Sequence, residues 1–286
     1  MATAVPTLRI GLTPDPDDAF LLYGIAHGLV TLPGHRLELV LADIQSLNQR
    51  AVALGDLEVT ALSAAVYPQV AHRYQIAATG TALSQGPGPV LIGRAPLDLE
   101  ALAGQTIAIP GPDTTAFLLL RLRLGPLAAT LTFRPLPHTA ILPAVRQGTV
   151  AAGLLIHAGP LVYQSAGLTS LCDLGHWWQA ETGLPIPLGV TAVRRDLPSA
   201  LARSLVRRLR QSLETALAHE TAALAYARTF APDLDPATVD RFIRQVVTPD
   251  TLDLSPVGEQ ALTTLYHRAH QAGLLSTLPP VDILRP

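Results

Sequence analysis

Strand-like and helix-like stretches alternate along the first quarter of the chain. Alternating apolar residues predict three strands, at 7–13, 36–43 and 58–63. Helical spacing of apolar residues predicts helices after each of them, at 17–28, 46–57 and 64–74. A repeated strand–helix order is typical of a mostly parallel sheet covered by helices, so we predict an α/β fold.

A stretch rich in glycine and proline, 80–94, interrupts this alternation and contains an apolar strand. We interpret it as a crossing into a second lobe, where strands and helices alternate again over 105–157. Residues 183–198 are typical of a second crossing, and the chain is helical from 199 onwards. The predicted parts are 1–92 in lobe 1, 93–193 in lobe 2, and 194–286 back in lobe 1. We expect the ligand cleft between the lobes, at the carboxyl ends of strands.

The composition excludes several classes of partner. The net charge of −2 favours neither a nucleic-acid surface nor a membrane surface. No apolar run reaches the ~18 residues that a membrane-spanning helix needs, so we expect no membrane insertion.

The first residues lack the order of a secretory signal, which predicts a cytoplasmic location. The single cysteine, Cys172, excludes an internal disulfide and a zinc site built from several cysteines.

All 20 basic residues are arginine, and the chain contains no lysine. Because arginine stays protonated, it cannot act as the amine that forms an imine. Schiff-base chemistry, anchoring of pyridoxal phosphate and a phosphate-binding lysine of the Walker type are therefore excluded.

Polar residues at two predicted strand ends are candidates for ligand contacts. Thr114 and Thr115 begin a predicted helix, and the free N–H groups and the dipole of a helix start favour an anion. The alternative is an ordinary helix cap formed by Asp113 or Thr114. Ser63 also stands where a strand meets a helix, where it either contacts the ligand or caps the helix.

Three carboxylates, Asp15, Asp17 and Asp18, stand at the first strand–helix junction. The spacing lacks the glycine and distal glutamate of a calcium loop, so we predict that Asp17 or Asp18 caps the helix. Their charge would repel an anion, which speaks against a role for Asp15 or Asp17 in binding a carboxylate.

His157 directly follows an apolar strand, 151–156, in the sequence GLLIH. A lone histidine there is either a structural residue of the core or surface, or a base at the mouth of the cleft. Histidine is suited to the second role because it accepts a proton readily near neutral pH. His267 and His270 lie three residues apart on the last helix without an evident third ligand, so we predict a solvated helix face.

The segment DLGHWWQAETGLPIPLG at 173–189 resembles the signature of the 1,4-dihydroxy-6-naphthoate synthase family, which serves the futalosine route to menaquinone. The segments DDAFLLYGIAHG, ADIQSLNQRAVALGDLEVTALS, ALSQGPGPVL, IPGPDTTAFLLL and ILPAVRQGTVAAGLLIH agree in order and spacing. The resemblance covers most of 8–198. It implies a type 2 periplasmic-binding-protein fold, in agreement with the two predicted lobes.

The resemblance also implies an activity and a site. The family's lyase reaction converts cyclic dehypoxanthinyl futalosine, a carboxylate, to 1,4-dihydroxy-6-naphthoate, without a cofactor or a metal. The family's general base falls on His157, and its ligand contacts fall on Ala61, Leu62, Ser63, Thr114 and Thr115. The chain departs from the family's pattern at Asp15 and Ala158, where members commonly have cysteine and glutamate.

Two other functions are compatible with the same fold. One is a binding protein that captures a small carboxylate without chemistry, since a fold does not determine a function. The other is chorismate dehydratase, a relative in the same pathway, although the segment at 173–189 favours the naphthoate enzyme. The wide helical surfaces of the C-terminal part are compatible with a homodimer.

Overall fold

The computed structural model describes residues 5–286, and these form twelve strands in two sheets. The strands are Thr7–Leu12 (β1), Arg36–Leu41 (β2), Val59–Ser63 (β3), Tyr74–Ala77 (β4), Ala82–Ser84 (β5), Val90–Gly93 (β6), Thr106–Ile109 (β7), Thr132–Pro135 (β8), Ala152–Leu155 (β9), Thr169–Asp173 (β10), Ile186–Arg194 (β11) and Ile283–Leu284 (β12). The α-helices are Pro16–Leu21 (α1), Tyr23–Ala26 (α2), Ile44–Ala53 (α3), Tyr67–Val70 (α4), Thr115–Leu124 (α5), His138–Gln147 (α6), Leu174–Thr182 (α7), Ser199–Ala218 (α8), Glu220–Arg228 (α9), Pro236–Val246 (α10), Pro249–Leu252 (α11) and Pro256–Gln271 (α12). Three short 3₁₀ helices are Leu99–Leu102, Gly125–Thr130 and Gly159–Leu161.

Each sheet combines a parallel part with antiparallel strands. The first sheet has the order β12-β4-β11-β3-β1-β2, and β5 also pairs with β11. In it β1 runs parallel to β2 and β3, whereas β11 is antiparallel to β3 and β4. The second sheet has the order β10-β6-β9-β7-β8, with β7 parallel to β8 and β9. The predicted α/β class is confirmed.

The two sheets form the cores of two lobes, which the chain connects twice. The first connection is 85–89, between β5 of the first sheet and β6 of the second. The second is 183–185, which joins α7 to β11 of the first sheet. We propose these connections as the lobe boundaries, because β6 and β11 each lie within one sheet. The expected boundaries after residues 92 and 193 stay a prediction.

The first connection lies tightly against the start of α7. A Cβ atom added to Gly88 would come within 2.6 Å of the backbone nitrogen of Gly175. A Cβ atom added to Gly175 would in turn come within 2.4 Å of the nitrogen of Gly88. Both positions therefore require glycine, and their contact fixes the path of the chain where it passes between the lobes.

The C-terminal helices complete the first lobe. In α8, Leu205, Leu209 and Leu213 recur every four residues and are at most 1 % exposed, so one face of this 20-residue helix is buried. This face packs in one apolar cluster with Phe20 and Ile25 from the helices that follow β1. Within residues 5–286, no helix combines the length and the apolar character needed to cross a membrane.

Two predicted helices differ in the structure. The helix expected at 64–74 is reduced to the single turn α4, and the chain then forms β4. The alternation of buried Tyr74 and Ile76 lets β4 pair with β11 and β12, and this tertiary pairing outweighs the local helical pattern. The helix expected at 17–28 is interrupted at Leu22 and becomes α1 and α2.

Candidate active site

A cavity of about 220 Å³ lies between the two lobes. Strand ends and helix starts from both lobes line it. This position agrees with the ligand cleft predicted between the lobes. All six residues predicted for the site line this cavity: Ala61, Leu62, Ser63, Thr114, Thr115 and His157. The first three come from the carboxyl end of β3, the next two from the start of α5, and His157 follows β9. The fold thus brings together residues that are up to 96 positions apart in sequence.

His157 has an unusual backbone and a buried ring nitrogen. Its φ of 53° is the only positive value at a non-glycine residue among residues 5–286, in a region where histidine is tolerated better than most side chains. Its Nε2 atom is buried and makes no hydrogen bond to the described residues. This nitrogen lies 3.5 Å from Oδ2 of Asp15, across the cleft. A strained backbone at such a position is common in active sites.

A second histidine shares this carboxylate. Nε2 of His138, at the start of α6, lies 3.8 Å from Oδ1 of Asp15, and the rings of His138 and His157 are 4.9 Å apart. Burial lowers the pKa of His138, and the nearby His157 lowers it further, which favours a neutral imidazole. His138 could not be predicted from the sequence, because its approach to His157 depends on the packing of α6 beside β9.

The start of α5 leaves backbone donors free at the cavity. Thr114 is the N-cap: its Oγ1 accepts a hydrogen bond from Phe117 N at 3.3 Å and donates one to Gly111 O at 2.9 Å. The hydroxyl of Thr115 donates to Leu188 O at 2.6 Å and accepts from Ala65 N at 3.1 Å. Both hydroxyls are therefore occupied. The N–H groups of Thr115 and Ala116 have no intrahelical partner, as in the first turn of any helix.

Ser63 is held by Asn48, a residue that the sequence analysis missed. Asn48 is fully buried in α3; its Nδ2 donates to Ser63 Oγ and its Oδ1 accepts from Ser63 N, both at 2.9 Å. Because Ser63 Oγ already accepts a bond, its own proton remains available to a ligand in the cavity. The signal in the sequence was a polar residue beside Leu47 and one turn before Ala51, on the buried face of α3.

The predicted capping role of Asp17 and Asp18 is wrong. Asp15 occupies the N-cap position without a side-chain capping bond, and the other two carboxylates lie inside the first turn of α1. Asp18 instead accepts bonds from N and Oγ1 of Thr13, at 2.7 and 2.9 Å. The chain turns from β1 into α1 so tightly that Asp18 reaches back to the end of the strand.

The pair Asp17 and Asp18 lines the cavity and resists ionisation. Burial, with the charge of Asp15, raises the pKa of Asp17 to about 7. Burial, with the charge of Asp17, raises the pKa of Asp18 to about 7, against the lowering effect of its bonds from Thr13. Each of the two carboxyl groups is therefore harder to ionise than an ordinary aspartate.

The remaining metal candidates lie apart from the cavity. His267 and His270 are exposed on α12, which confirms the predicted solvated face. Among residues 5–286, no group of three or more His, Cys, Asp or Glu side chains is arranged to hold a metal ion.

The fold and the cavity define a class: a two-lobed α/β protein of the periplasmic-binding-protein type. Solved structures agree, among them the alkanesulfonate-binding protein SsuA from Xanthomonas axonopodis pv. citri, with a TM-score of 0.70, 17 % identity and coverage of 98 % of each chain. A protein from Archaeoglobus fulgidus is more similar, with a TM-score of 0.88, 35 % identity, and coverage of 94 % of this chain and 98 % of its own.

Sequence comparisons give the family. A family model described as menaquinone biosynthesis matches residues 8–271. The chain is 40 % identical to a 1,4-dihydroxy-6-naphthoate synthase from Thermus thermophilus, over 95 % of this chain and 97 % of the relative. It is 37 % identical to the synthase of the same name from Streptomyces coelicolor, over 96 % of each. The chain belongs to this family of menaquinone biosynthesis enzymes.

Proposed function

We propose that the chain is a 1,4-dihydroxy-6-naphthoate synthase, a lyase that releases this product from cyclic dehypoxanthinyl futalosine with His157 as the general base. Two related synthases, each matched over more than nine-tenths of its length, support the reaction. We infer the role of His157 from its position, because its imidazole follows β9 and lines the cavity between the lobes.

The substrate carboxylate binds at the start of α5 in this proposal. The N–H groups of Thr115 and Ala116 and the positive end of the helix dipole favour an anion there. Thr114 and Thr115 contribute indirectly, since their hydroxyls hold the helix start through Gly111 and Leu188. Ser63 donates its hydroxyl proton to the same ligand, and Ala61 and Leu62 form the apolar wall beside it.

His157 removes the proton that starts the elimination. A neutral imidazole can accept this proton, and formation of an aromatic ring drives loss of the sugar-derived fragment. The apolar lining of the cavity excludes water from the reacting carbon and strengthens the contact between base and substrate. Closure of the lobes would bring the base from one lobe to a ligand held also by the other.

The acidic pair opposite the base is compatible with an anionic substrate. Two ionised carboxylates in the same cavity would repel the ligand. With the pKa values of Asp17 and Asp18 at about 7, protonated forms are well populated at neutral pH, and a protonated carboxyl donates a hydrogen bond.

The proposal includes a small-molecule partner and a cytoplasmic location, which the biosynthetic role of the family supports. The homodimer expected from the helical C-terminal part stays a prediction.

A turnover assay with the purified chain tests the function. We expect cyclic dehypoxanthinyl futalosine to be converted to 1,4-dihydroxy-6-naphthoate, followed by absorbance and mass, at the same rate with and without a chelator. Chorismate, offered in a parallel reaction, should not be consumed. Saturable binding of the first compound without product would instead indicate a binding protein, and consumption of chorismate would indicate the dehydratase.

A further inference from the structure

Asp15 is a buried carboxylate at the start of α1 that makes no capping bond to this helix. It is 5 % exposed, and its side chain does not cap the helix that begins beside it. Among residues 5–286 the cationic or potentially cationic groups within 4.0 Å of it are two imidazoles, those of His138 and His157. Burying a carboxylate without an arginine or a capping bond is costly, so its partners should repay that cost.

The two imidazoles meet Asp15 through the same kind of atom. Nε2 of His157 faces Oδ2, and Nε2 of His138 faces the other oxygen, Oδ1. A carboxylate only accepts hydrogen bonds, so each Nε2 must carry a proton to pair with it. In a neutral imidazole the lone pair is then on Nδ1.

The orientation of His157 towards Asp15 is compatible with a base that acts on a ligand in the cavity. His157 lines the cavity, whereas neither Asp15 nor His138 is among the described residues that do. The buried Nε2 of His157 faces Asp15, at 3.5 Å, and Asp15 does not line the cavity. With its proton directed at Asp15, Nδ1 is the nitrogen left to take a proton from a ligand.

We propose that Asp15 is a positioning residue that holds His157 as the Nε2–H tautomer, so that Nδ1 is the atom that accepts the substrate's proton. The inference rests on the proposed function for the identity of the proton's source. It follows the general logic in which a carboxylate orients a catalytic histidine and selects its tautomer. His138 holds the second oxygen of Asp15 and so fixes the carboxylate.

The contact also joins the two lobes. Asp15 belongs to the loop after β1 in the first lobe, and both histidines belong to the second. At 3.5 Å the pair is longer than a good hydrogen bond, and such contacts commonly tighten when a ligand closes the site. The base is therefore fully oriented only when the lobes close, which couples closure to catalysis.

Kinetics of Asp15→Asn test the proposal. The substitution keeps the shape but lets the side chain donate, which favours the wrong tautomer. We expect kcat to fall by at least about 10-fold, because loss of a carboxylate that orients an imidazole costs between about 10-fold and 10⁴-fold, with KM within about threefold. Asp15→Glu should recover kcat to within about tenfold of the parent, because it restores an acceptor. Asp233→Asn, on an exposed carboxylate that does not line the cavity, is the matched control and should leave both constants unchanged.

Nitrogen NMR of the histidine side chains supplies a readout that needs no turnover. With the signals of His157 assigned by their loss in His157→Asn, we expect the parent to show the proton on Nε2. In Asp15→Asn the form with the proton on Nδ1 should increase, while Asp233→Asn keeps the parent spectrum. A purely structural role of Asp15 would lower the Tm without changing the tautomer.

The outcomes separate this inference from the proposed function. If the parent does not turn over the substrate but His157 carries its proton on Nε2 and loses that preference in Asp15→Asn, the reaction is wrong and the positioning role stands. If the parent turns over and its His157 carries the proton on Nδ1, or if Asp15→Asn keeps kcat within about twofold, the positioning role is overturned.

Discussion

Two strand–helix junctions face the same cavity, and they differ in the charge carried by the first turn of the helix. The first, LTPDPDDAF, leads from β1 into α1, and the second, IPGPDTTAF, leads from β7 into α5. The start of α1 has two acidic residues in its first turn and no capping bond. The start of α5 has a threonine cap and no acidic residue in its first turn. Similar backbone turns thus present carboxylates on one side and free N–H donors on the other.

This difference indicates where an anionic group of the ligand binds. An anion is favoured at the start of α5 and opposed at the start of α1, because the carboxylates of α1 already occupy the positive end of that helix. The carboxylates at the first junction serve the protein's own groups instead. Asp15 faces two imidazoles, and Asp18 accepts two bonds from Thr13.

The largest effect should come from removing the base that stands between the two junctions. We expect His157→Asn to lower kcat by about 10²–10⁴-fold, the usual contribution of a general base, with the Kd for substrate within about tenfold. Asparagine tolerates the positive φ at this position, so the backbone should be preserved. Kinetics and calorimetric titration measure the two quantities. Turnover retained in this variant would remove His157 from the mechanism.

The next effect concerns the second junction. Thr114→Ala and Thr115→Ala together should weaken substrate binding by about 1–3 kcal/mol, since each loses hydrogen bonds that hold the start of α5 at the cavity. Titration of the inactive His157→Asn background measures the Kd without turnover. Thr130→Ala, an exposed threonine outside the cavity, is the control. An unchanged Kd in the double variant would mean that this helix start is a cap and no more.

Local pattern predicted β1, β2 and β3, the helical C-terminal part and the residues at the ends of β3 and β9, but not β4, β10 or β12. These features depend on periodicity and on chain order, which a sequence displays directly. The cavity confirms that Ser63, Thr114 and His157 come together, although their roles in binding and catalysis stay predictions. The hydroxyl of Thr115 could not be treated in the same way, because its partners, Leu188 O and Ala65 N, are distant in sequence and lie on other parts of the fold.

The contacts of Asp15, His138 and Asn48 could not be predicted in the same way. Asp15 and His138 meet across the cleft, over 123 positions of sequence, because of how α6 packs in the second lobe. Asn48 looked like one more polar residue of an amphipathic helix, yet it is fully buried and holds Ser63. Tertiary packing, which periodicity does not encode, decides each of these cases.

The smallest effect on turnover is expected at the acidic junction, which is the turn from β1 into α1 that carries Asp17 and Asp18. The pH dependence of stability tests the charge of this junction. Burial raises the pKa of Asp17 from an ordinary 3.8 to about 7. Between these values the folded state binds more protons than the unfolded state, so the free energy of unfolding decreases as pH rises from about 4 to about 7. Asp17→Asn cannot ionise and should lack this decrease.

We therefore expect Asp17→Asn to have nearly the parent's Tm at about pH 4 and a Tm several degrees higher above pH 7, because the full shift from 3.8 to about 7 corresponds to about 4 kcal/mol. Thermal melts at several pH values measure this difference, with Asp233→Asn as an exposed control that should show none. A gap between variant and parent that is the same at every pH would have another meaning. It would show that Asp17 titrates alike in the folded and unfolded states. Asp17 would then be ionised at neutral pH and would repel the carboxylate of the substrate, which the start of α5 would have to hold against this repulsion.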